Sequence, residues 1–199
     1  AGVPSDATAI CFDSRTAVPG AVFVAITGAA SDGHDYIGDA IAHGAAYIIA
    51  QAGRNVDWGE SPFPTPAIIE VPDTRVALAE AAAGFYGHPA RTLGMVGVTG
   101  TDGKTTTAHL IAHVLNATGR PAGYLSSVEF GLPGSAELNA SHMTTLEAPE
   151  VQRHLARVRD GGGRYAVVEA SSHGLDMHRV DQCAFDVGVF TNLTPDHLD

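Results

Sequence analysis

The stretch VTGTDGKTTT combines the residue types that a phosphate-binding loop needs. A standard P-loop has one glycine, four further residues and then Gly-Lys-Ser/Thr, and Val98 stands where that first glycine belongs. The sequence predicts a strand over Met95–Thr99 before the loop and a helix that opens at Lys104 after it. In such a strand–turn–helix, backbone N–H groups and the helix N-terminus point toward an anion.

The side chains of this loop predict a nucleotide and a magnesium ion as ligands. Gly100 and Gly103 allow close backbone approach and unusual φ angles. Lys104 can reach the outer phosphates, and the Thr105 hydroxyl can bind Mg²⁺. The strand–turn–helix setting favours this reading over a glycine-rich turn before an ordinary helix. The predicted phosphate-binding residues are Gly100, Thr101, Asp102, Gly103, Lys104, Thr105 and Thr106.

Two further residues have a chemistry that fits such a site. Glu169 ends the apolar run YAVVE, where a parallel strand presents its carboxyl end to a ligand crevice, and a carboxylate there suits Mg²⁺. The alternative is a helix-capping or surface acid. Arg179, in SSHGLDMHR, has a guanidinium fork that suits a carboxylate or phosphate. Its alternative is a surface salt bridge with Asp176 or Asp181.

Composition limits the possible partners. The 199 residues carry a formal net charge of -11 with only 11 Lys and Arg, which argues against nucleic acid as a partner. Cys11 and Cys183 lie in no CxxC or Cys/His metal spacing, which favours a reducing compartment. No apolar run approaches the length of a membrane span. We expect a cytoplasmic monomer without nucleic-acid or membrane partners.

The elements that must position these residues alternate between strand and helix, which predicts an α/β fold with a mostly parallel sheet. Apolar runs predict strands, and longer stretches of small or amphipathic residues predict helices. The predicted strands cover residues 21–28, 46–51, 66–72, 95–100, 165–172 and 185–194. The predicted helices cover residues 35–45, 73–87, 104–119 and 148–163. The segment HPARTLG has Pro, Gly and no periodicity, so we expect a domain boundary at residues 88–89.

With these motifs in order, the chain resembles the Mur ligase family of ATP-dependent amide-forming enzymes. The loop TGTDGKTTT is similar to that family's shortened phosphate loop, and MTTLEAPEVQ, VVEASSHGLDMHRV and FTNLTPDHLD are similar to successive segments of its central ATPase domain. The run from FDSR to AAYIIA looks like the UDP-binding domain of the MurE type, the UDP-N-acetylmuramoyl-tripeptide synthetases. The resemblance covers nearly the whole chain.

The resemblance implies a small N-terminal α/β UDP-binding domain, residues 1–88, followed by a truncated P-loop ATPase domain, residues 89–199. It implies ATP and Mg²⁺ as cofactors, and addition of an amino acid to UDP-N-acetylmuramoyl-L-Ala-D-Glu through an acyl phosphate in peptidoglycan precursor synthesis. Alternatives are a related folylpolyglutamate or cyanophycin synthetase, against which the first domain argues, or a non-catalytic nucleotide-binding module.

The family's functional positions map onto residues of this chain. Lys104, Glu169 and His197 correspond to catalytic positions, and Thr105, Glu169 and His197 to metal-binding positions. The substrate-binding positions are Phe12, Ser14, Ala29, Ala30, Ser31, Thr144, Thr145, Ser171 and Arg179. Three residues depart from the family pattern: Asp102 replaces Asn, Met177 replaces Gln, and Leu146 replaces a frequent Pro.

For ligation, the family also uses a carbamylated lysine beyond the DHLD segment and a third domain that helps to select the amino acid. Lys104 is the only lysine of these 199 residues, and the resemblance extends to no third domain within them. We therefore expect this chain alone to bind nucleotide without completing ligation.

Overall fold

The computed structural model describes residues 6–28, 31–54, 63–141 and 143–194. The chain divides into two compact units, Ala1–Phe85 and Tyr86–Asp199. Each unit is built on a sheet whose strands are mostly parallel, as the alternation of strands and helices predicts. None of the helices in the described ranges combines the length and the hydropathy needed to cross a bilayer.

The first unit has a four-stranded, fully parallel sheet in the order β1-β2-β3-β4. Its strands are β1 Ile10–Cys11, β2 Val22–Val24, β3 Tyr47–Gln51 and β4 Ala67–Val71, and its helices are α1 Ile37–Ala42 and α2 Thr74–Phe85. The β2 and β3 side chains make the core together with the buried face of α1. Asp73 caps α2 by accepting hydrogen bonds from the N–H groups of Arg75 and Val76.

Two elements of this unit are shorter than the apolar pattern predicts. Strand β2 ends at Val24 rather than at residue 28, because the chain then turns and Gly33 packs against the backbone of Ile26. A Cβ at Gly33 would lie 2.8 Å from the Ile26 carbonyl oxygen. Helix α1 is preceded by a 3-10 turn over Gly33–Tyr36 and ends before Gly44, whose φ of 96° only glycine adopts easily.

The second unit has a six-stranded sheet in the order β10-β5-β9-β6-β7-β8. The first four strands are parallel, and the last two pair antiparallel. The strands are β5 Gly94–Thr99, β6 Ala122–Leu125, β7 Glu129–Leu132, β8 Ser135–Leu138, β9 Tyr165–Glu169 and β10 Val187–Phe190. The helices are α3 Lys104–Ala117, α4 Ala148–Asp160 and α5 Ser172–Asp176.

Strands β6, β7 and β8 have no counterpart among the elements predicted from the sequence. Each is four residues long, and every residue of β8 is exposed, so none gives the apolar run by which a strand is recognised. Gly134, with a φ of 84°, forms the turn between β7 and β8. Strand β10 is also shorter than predicted, since it ends at Phe190 rather than at residue 194.

The two long helices of this unit differ in how their apolar residues are used. Helix α4 buries Val151, Leu155 and Val158 in the core, as its amphipathic pattern predicts. Helix α3 instead meets the sheet through its small residues Ala108 and Ala112. Of its larger apolar side chains, Ile111 and Leu115 are partly buried, whereas Leu110 and Val114 are more than half exposed.

Candidate active site

The loop between β5 and α3 has the geometry of an anion-binding turn. Strand β5 ends at Thr99 and α3 begins at Lys104, with Gly103 as its N-cap. Gly100 and Gly103 have φ angles of 133° and 81°, values that favour glycine. The first N–H groups of a helix have no partner within it, so those at the start of α3 are available to a phosphate.

Residues 191–194 follow β10 and lie against this loop; we call them the strap. The Thr191 N–H donates to the Thr99 carbonyl (3.0 Å), and its hydroxyl donates to the Asp102 carbonyl (2.6 Å). The Asn192 side chain accepts a hydrogen bond from the Asp102 N–H (3.0 Å), and the Thr101 hydroxyl donates to the Thr194 carbonyl (3.0 Å). The strap therefore fixes the loop backbone.

Contact with the strap is so close that only glycine fits at position 100. A Cβ there would overlap Thr191 Oγ1 and lie 2.9 Å from the Asn192 carbonyl oxygen. The neighbouring Asp102 is held through its backbone groups while its side chain is exposed. An acidic residue is accommodated in the loop because solvent screens its charge.

Lys104 folds back over the loop that it follows. Its Nζ donates to the carbonyl oxygens of Gly100 (2.7 Å) and Thr101 (2.8 Å). An ammonium group has three N–H donors, so one remains for a phosphate oxygen. The two carbonyl contacts fix the charge at the mouth of the loop.

Glu169 lies at the end of β9, beside β5, and its side chain is 1% exposed. Within the described residues neither carboxylate oxygen accepts a well-aligned hydrogen bond. Burial raises the pKa of Glu169, although the Thr105 hydroxyl, the Ser127 N–H and the charge of Lys104 lie near enough to oppose that rise. A buried carboxylate whose oxygens lack partners fits a hard cation, and Thr105 supplies a second oxygen from the loop.

A second group of polar side chains near Thr105 was not predicted from the sequence. The Thr105 and Ser127 hydroxyl oxygens are 3.0 Å apart, and His109 Nε2 lies 3.2 Å from the Ser126 hydroxyl. Both serines directly follow β6, the neighbour of β9 in the sheet. Recognition of β6 as a parallel strand would have placed them at the ligand edge. Among the described residues no three His, Cys, Asp or Glu side chains come together as a metal cluster.

The predicted substrate-binding residues Thr145 and Ser171 are in direct contact. The Thr145 hydroxyl accepts a hydrogen bond from the Ser171 N–H (3.0 Å), and the two hydroxyl oxygens are 3.1 Å apart. The Thr145 hydroxyl also reaches the Glu169 carbonyl oxygen (3.2 Å). Thr144 is partly buried beside this pair. The predicted substrate residues thus adjoin the strand that carries Glu169.

Arg179 pairs with neither of the two acids that were considered from the sequence. Its Nη2 lies 2.7 Å from Glu147 Oε1, and its Nη1 donates to the Thr145 carbonyl (3.0 Å). Asp181 instead pairs with His178, at 2.7 Å. The surface salt bridge expected as an alternative is wrong, because Arg179 turns inward to a buried acid.

In the first unit, Phe12, Ser14 and Ser31 follow the carboxyl ends of β1 and β2. Ser14 is buried and opens a short 3-10 turn that Asp13 caps by accepting from the Arg15 N–H (3.0 Å). Asp13 and Arg15 also form an ion pair, at 2.6 Å. Asp13 and Arg15 therefore have a structural role in this turn.

A hydrogen-bonded network that the sequence did not predict fixes the turn after β2. Asp32 caps the 3-10 turn, contacts His34 Nδ1 (2.6 Å) and pairs with Arg54 (2.7 Å). His34 Nε2 accepts from the Gln51 N–H (3.0 Å), so its Nδ1 carries the proton that points to Asp32. Arg75 donates to the Thr27 carbonyl from the start of α2 (2.9 Å).

Comparison with family models shows which protein family this chain belongs to. The model of the Mur ligase middle domain matches residues 98–199, and that of the Mur ligase family catalytic domain matches residues 6–86. The chain belongs to the Mur ligase family. Its α/β fold with mostly parallel sheets is that of a Mur ligase, as the sequence motifs implied.

Individual Mur ligases resemble this chain over nearly all of its length. The UDP-N-acetylmuramyl-tripeptide synthetase of Roseiflexus sp. (strain RS-1) is 46% identical over 192 residues, which are 96% of this chain and 37% of that protein. A solved UDP-N-acetylmuramoyl-L-alanyl-D-glutamate–2,6-diaminopimelate ligase matches with a TM-score of 0.79 and 27% identity, over 97% of this chain and 38% of that one.

A MurF ligase from Thermotoga maritima, solved in complex with ADP, matches with a TM-score of 0.61 and 28% identity. The match covers 96% of this chain and 38% of that one. This chain thus spans little more than a third of the length of the Mur ligases that it matches.

Three of the residues that the Mur ligase resemblance implicates, Ala29, Ala30 and His197, lie outside the described residues. The others fall into two groups. The loop residues, Glu169, Thr144, Thr145, Ser171 and Arg179 belong to the second unit, whereas Phe12, Ser14 and Ser31 belong to the first.

Proposed function

We propose that this chain carries the UDP-substrate-binding domain and the phosphate-binding part of an ATP-dependent amide ligase. The ligase adds an amino acid to UDP-N-acetylmuramoyl-L-Ala-D-Glu in peptidoglycan precursor synthesis. The main support is the placement of Lys104 and of the Glu169 carboxylate at the carboxyl ends of the adjacent strands β5 and β9. The carboxylate is buried and accepts no well-aligned hydrogen bond from the described residues. The names of the relatives support the substrate.

Amide formation requires an activated carboxyl group, because a carboxylate is a poor electrophile. ATP, when bound, would supply the γ-phosphoryl group that converts the carboxylate to an acyl phosphate, with ADP as the leaving group. An amine would then attack the acyl carbon and release inorganic phosphate and a proton. Phosphoryl transfer depends mainly on positioning and on neutralising charge. Lys104 contributes to both, because two loop carbonyls hold its ammonium group and one N–H remains for the phosphate.

The cation that accompanies the nucleotide is proposed to be Mg²⁺, held by Thr105, Glu169 and His197. When bound, Mg²⁺ supplies positive charge that offsets the charge developing on the phosphate oxygens. Glu169 is suited to this task because its carboxylate is already desolvated and has no competing hydrogen-bond donor in good geometry among the described residues. The Thr105 hydroxyl lies one residue after Lys104, on the same turn of α3.

Each of two domains is proposed to carry substrate-binding residues, the first spanning residues 1–88 and the second residues 89–199. In the second domain, Thr144, Thr145, Ser171 and Arg179 present hydroxyls and guanidinium N–H groups to the anionic peptide. In the first domain, the uridine diphosphate meets the carboxyl edge of the sheet. Its proposed contacts there are Phe12, Ser14, Ala29, Ala30 and Ser31.

We place the protein in the cytoplasm, as a monomer without nucleic-acid or membrane partners. Both cysteines are free and buried, which suits a reducing compartment. Burial raises the pKa of Cys11 to about 11 and that of Cys183 to about 12, so neither thiol is poised to react.

The proposal is tested by binding measurements on the 199-residue chain. We expect ADP with Mg²⁺ to shift the amide resonances of residues 100–106, and UDP to shift those near Ser14 and Ser31. Lys104→Ala should weaken ADP binding by about 10- to 150-fold, because a hydrogen bond to a charged group contributes about 1.5–3 kcal/mol. UDP binding should not change.

The matched control is Arg120→Ala, which removes an exposed cation beyond the far end of α3. Arg120→Ala should leave ADP affinity within about twofold of the unmodified chain, since screening weakens an exposed charge at that distance. An ADP affinity that Lys104→Ala lowers by less than threefold, or a UDP response confined to residues 100–106, would refute the assignment of sites.

A further inference from the structure

The ion pair between Glu147 and Arg179 is unusual for its burial. The two side chains are only 11% and 12% exposed, and Glu147 Oε1 lies 2.7 Å from Arg179 Nη2. Exposed pairs contribute little to stability, but breaking a buried pair leaves an uncompensated charge away from water. The position of each partner in this pair therefore depends strongly on the other.

The pair joins two segments that both carry predicted substrate-binding residues. Glu147 precedes α4 and follows Thr145 by two residues, whereas Arg179 lies beyond α5. The same guanidinium donates from Nη1 to the Thr145 carbonyl (3.0 Å). Arg179 thus holds the segment 145–147 at two points, one a backbone oxygen and one a carboxylate.

The Thr145 side chain, in turn, fixes the start of α5. Its hydroxyl accepts the Ser171 N–H, and the Ser171 hydroxyl accepts the Gly174 N–H (3.0 Å). A Cβ on Gly174 would lie 2.6 Å from Thr145 Cβ, so the fit leaves no room for a side chain there. A displacement of Thr145 would therefore disturb its contacts with both Ser171 and Gly174.

Glu147 also determines which guanidinium donors remain for a ligand. A guanidinium has five N–H donors in a rigid plane. One Nη1 donor and one Nη2 donor are used by Thr145 and Glu147, and Nε is buried without an acceptor among the described residues. With the plane fixed in this way, the second hydrogens of Nη1 and Nη2 are the donors left for a substrate oxygen.

We propose that Glu147 is a positioning residue of the substrate site: it orients the Arg179 guanidinium and, through Arg179 and Thr145, places Ser171. The identity of the substrate in this proposal rests on the proposed function. The effect of Glu147 on the positions of Arg179 and Ser171 rests on the hydrogen bonds alone. Glu147 acts without touching the substrate.

The test compares Glu147→Gln with the unmodified 199-residue chain. The glutamine keeps the shape and one oxygen acceptor but loses the charge. We expect amide hydrogen exchange at Ser171 and Gly174 to accelerate at least tenfold, while exchange at Ala166 and Val167 within β9 changes less than twofold. A general loss of stability would instead accelerate exchange at all four amides together.

Binding gives the second measurement, with UDP-N-acetylmuramoyl-L-Ala-D-Glu as the probe. Glu147→Gln should weaken its binding at least fivefold, and Glu147→Asp, which keeps the charge on a shorter arm, should recover part of that loss. Glu137→Gln is the control, because it breaks another Glu–Arg ion pair of the same unit, with Arg157, that is about 40% exposed. It should change neither binding nor exchange at Ser171.

Unchanged exchange at Ser171 and Gly174 in Glu147→Gln would overturn the proposal, as would binding that becomes tighter. If the unmodified chain does not bind the probe, the proposed function fails at this site, and the exchange data alone decide whether Glu147 positions Ser171. If Glu147→Gln does not fold, Glu147→Asp and Arg179→Lys are measured instead. Both should accelerate exchange selectively at Ser171 and Gly174, and a uniform change in either would refute the proposal.

Discussion

The contact between the phosphate loop and the strap can be tested by a single methyl group at position 100. Gly100→Ala introduces a Cβ that would overlap Thr191 Oγ1 and lie 2.9 and 3.0 Å from the backbone oxygen and nitrogen of Asn192. Gly100 also has a φ of 133°, which an alanine adopts only at a cost. Either the loop or the strap must therefore move.

The expected cost has two parts. An unfavourable backbone conformation costs about 1–3 kcal/mol. Moving the strap weakens the hydrogen bonds from the Thr191 hydroxyl to Asp102 and from the Thr191 N–H to Thr99, each of which contributes about 1 kcal/mol. We therefore expect Gly100→Ala to lower the free energy of unfolding by about 3–5 kcal/mol.

Urea unfolding of Gly100→Ala and of the control Gly119→Ala separates the two parts. Gly119 also has a positive φ, of 74°, but a Cβ there meets nothing within 4 Å. Gly119→Ala should therefore show only the backbone cost of about 1–2 kcal/mol. ADP affinity, measured in parallel by calorimetry, should fall in Gly100→Ala alone, because only that change displaces the phosphate-binding N–H groups.

The reasoning also requires that the two contacting positions be coupled. In Gly100→Ala/Thr191→Ala the overlapping hydroxyl is absent, so the double variant should be at least as stable as Gly100→Ala. Equal destabilisation by Gly100→Ala and Gly119→Ala, with ADP affinity unchanged in both, would refute the close contact between loop and strap.

Two buried ionisable groups give further predictions about pH. Burial raises the pKa of Glu169 above 4.5, so the folded state should lose stability as pH rises from about 4.5 through the raised pKa. Glu169→Gln should remove this loss of stability. Mg²⁺ should raise the melting temperature of the unmodified chain but not that of Glu169→Gln. Burial, with the nearby charges of Arg153 and Arg157, lowers the pKa of His154 from 6.5 to about 4. Between pH 4 and 6.5 the unfolded state therefore binds more protons than the folded state, so stability should fall as pH drops from 6.5 toward 4. Unfolding curves of His154→Gln should show a smaller loss of stability over that interval.

The sequence predicted most of the fold where the periodicity is local and strong. Strand β9 begins at Tyr165 as predicted but ends at Glu169 rather than at residue 172. Helix α4, which carries the stripe of Val151, Leu155 and Val158, begins at Ala148 as predicted but ends at Asp160 rather than at residue 163. The hairpins of β6 to β8 escaped prediction because each strand has only four residues, too few for a recognisable apolar pattern, and takes its stability from pairing with its neighbours.

In the candidate site, too, the residues marked by local sequence could be predicted, whereas contacts between distant residues could not. Lys104 and Glu169 could be chosen because the signals that identify them, a glycine-rich turn and the end of an apolar run, lie next to them in the chain. The ion-pair partner of Arg179 could not be predicted from neighbouring residues, because Glu147 lies 32 positions earlier and Asp181 is closer in sequence. The strap was predicted as a continuation of β10, since nothing in its local sequence marks its contact with Thr101 and Asp102.

The hydrogen bond between the Thr145 hydroxyl and the Glu169 carbonyl has a thermodynamic consequence. It joins a proposed peptide-binding residue directly to the residue that carries the proposed metal-binding carboxylate. A ligand that moves Thr145 displaces the end of β9, and a cation that draws in Glu169 pulls on Thr145. Linkage then requires that each ligand change the affinity for the other by the same factor. If peptide and metal–nucleotide bind this unit as proposed, their affinities should be coupled through this hydrogen bond.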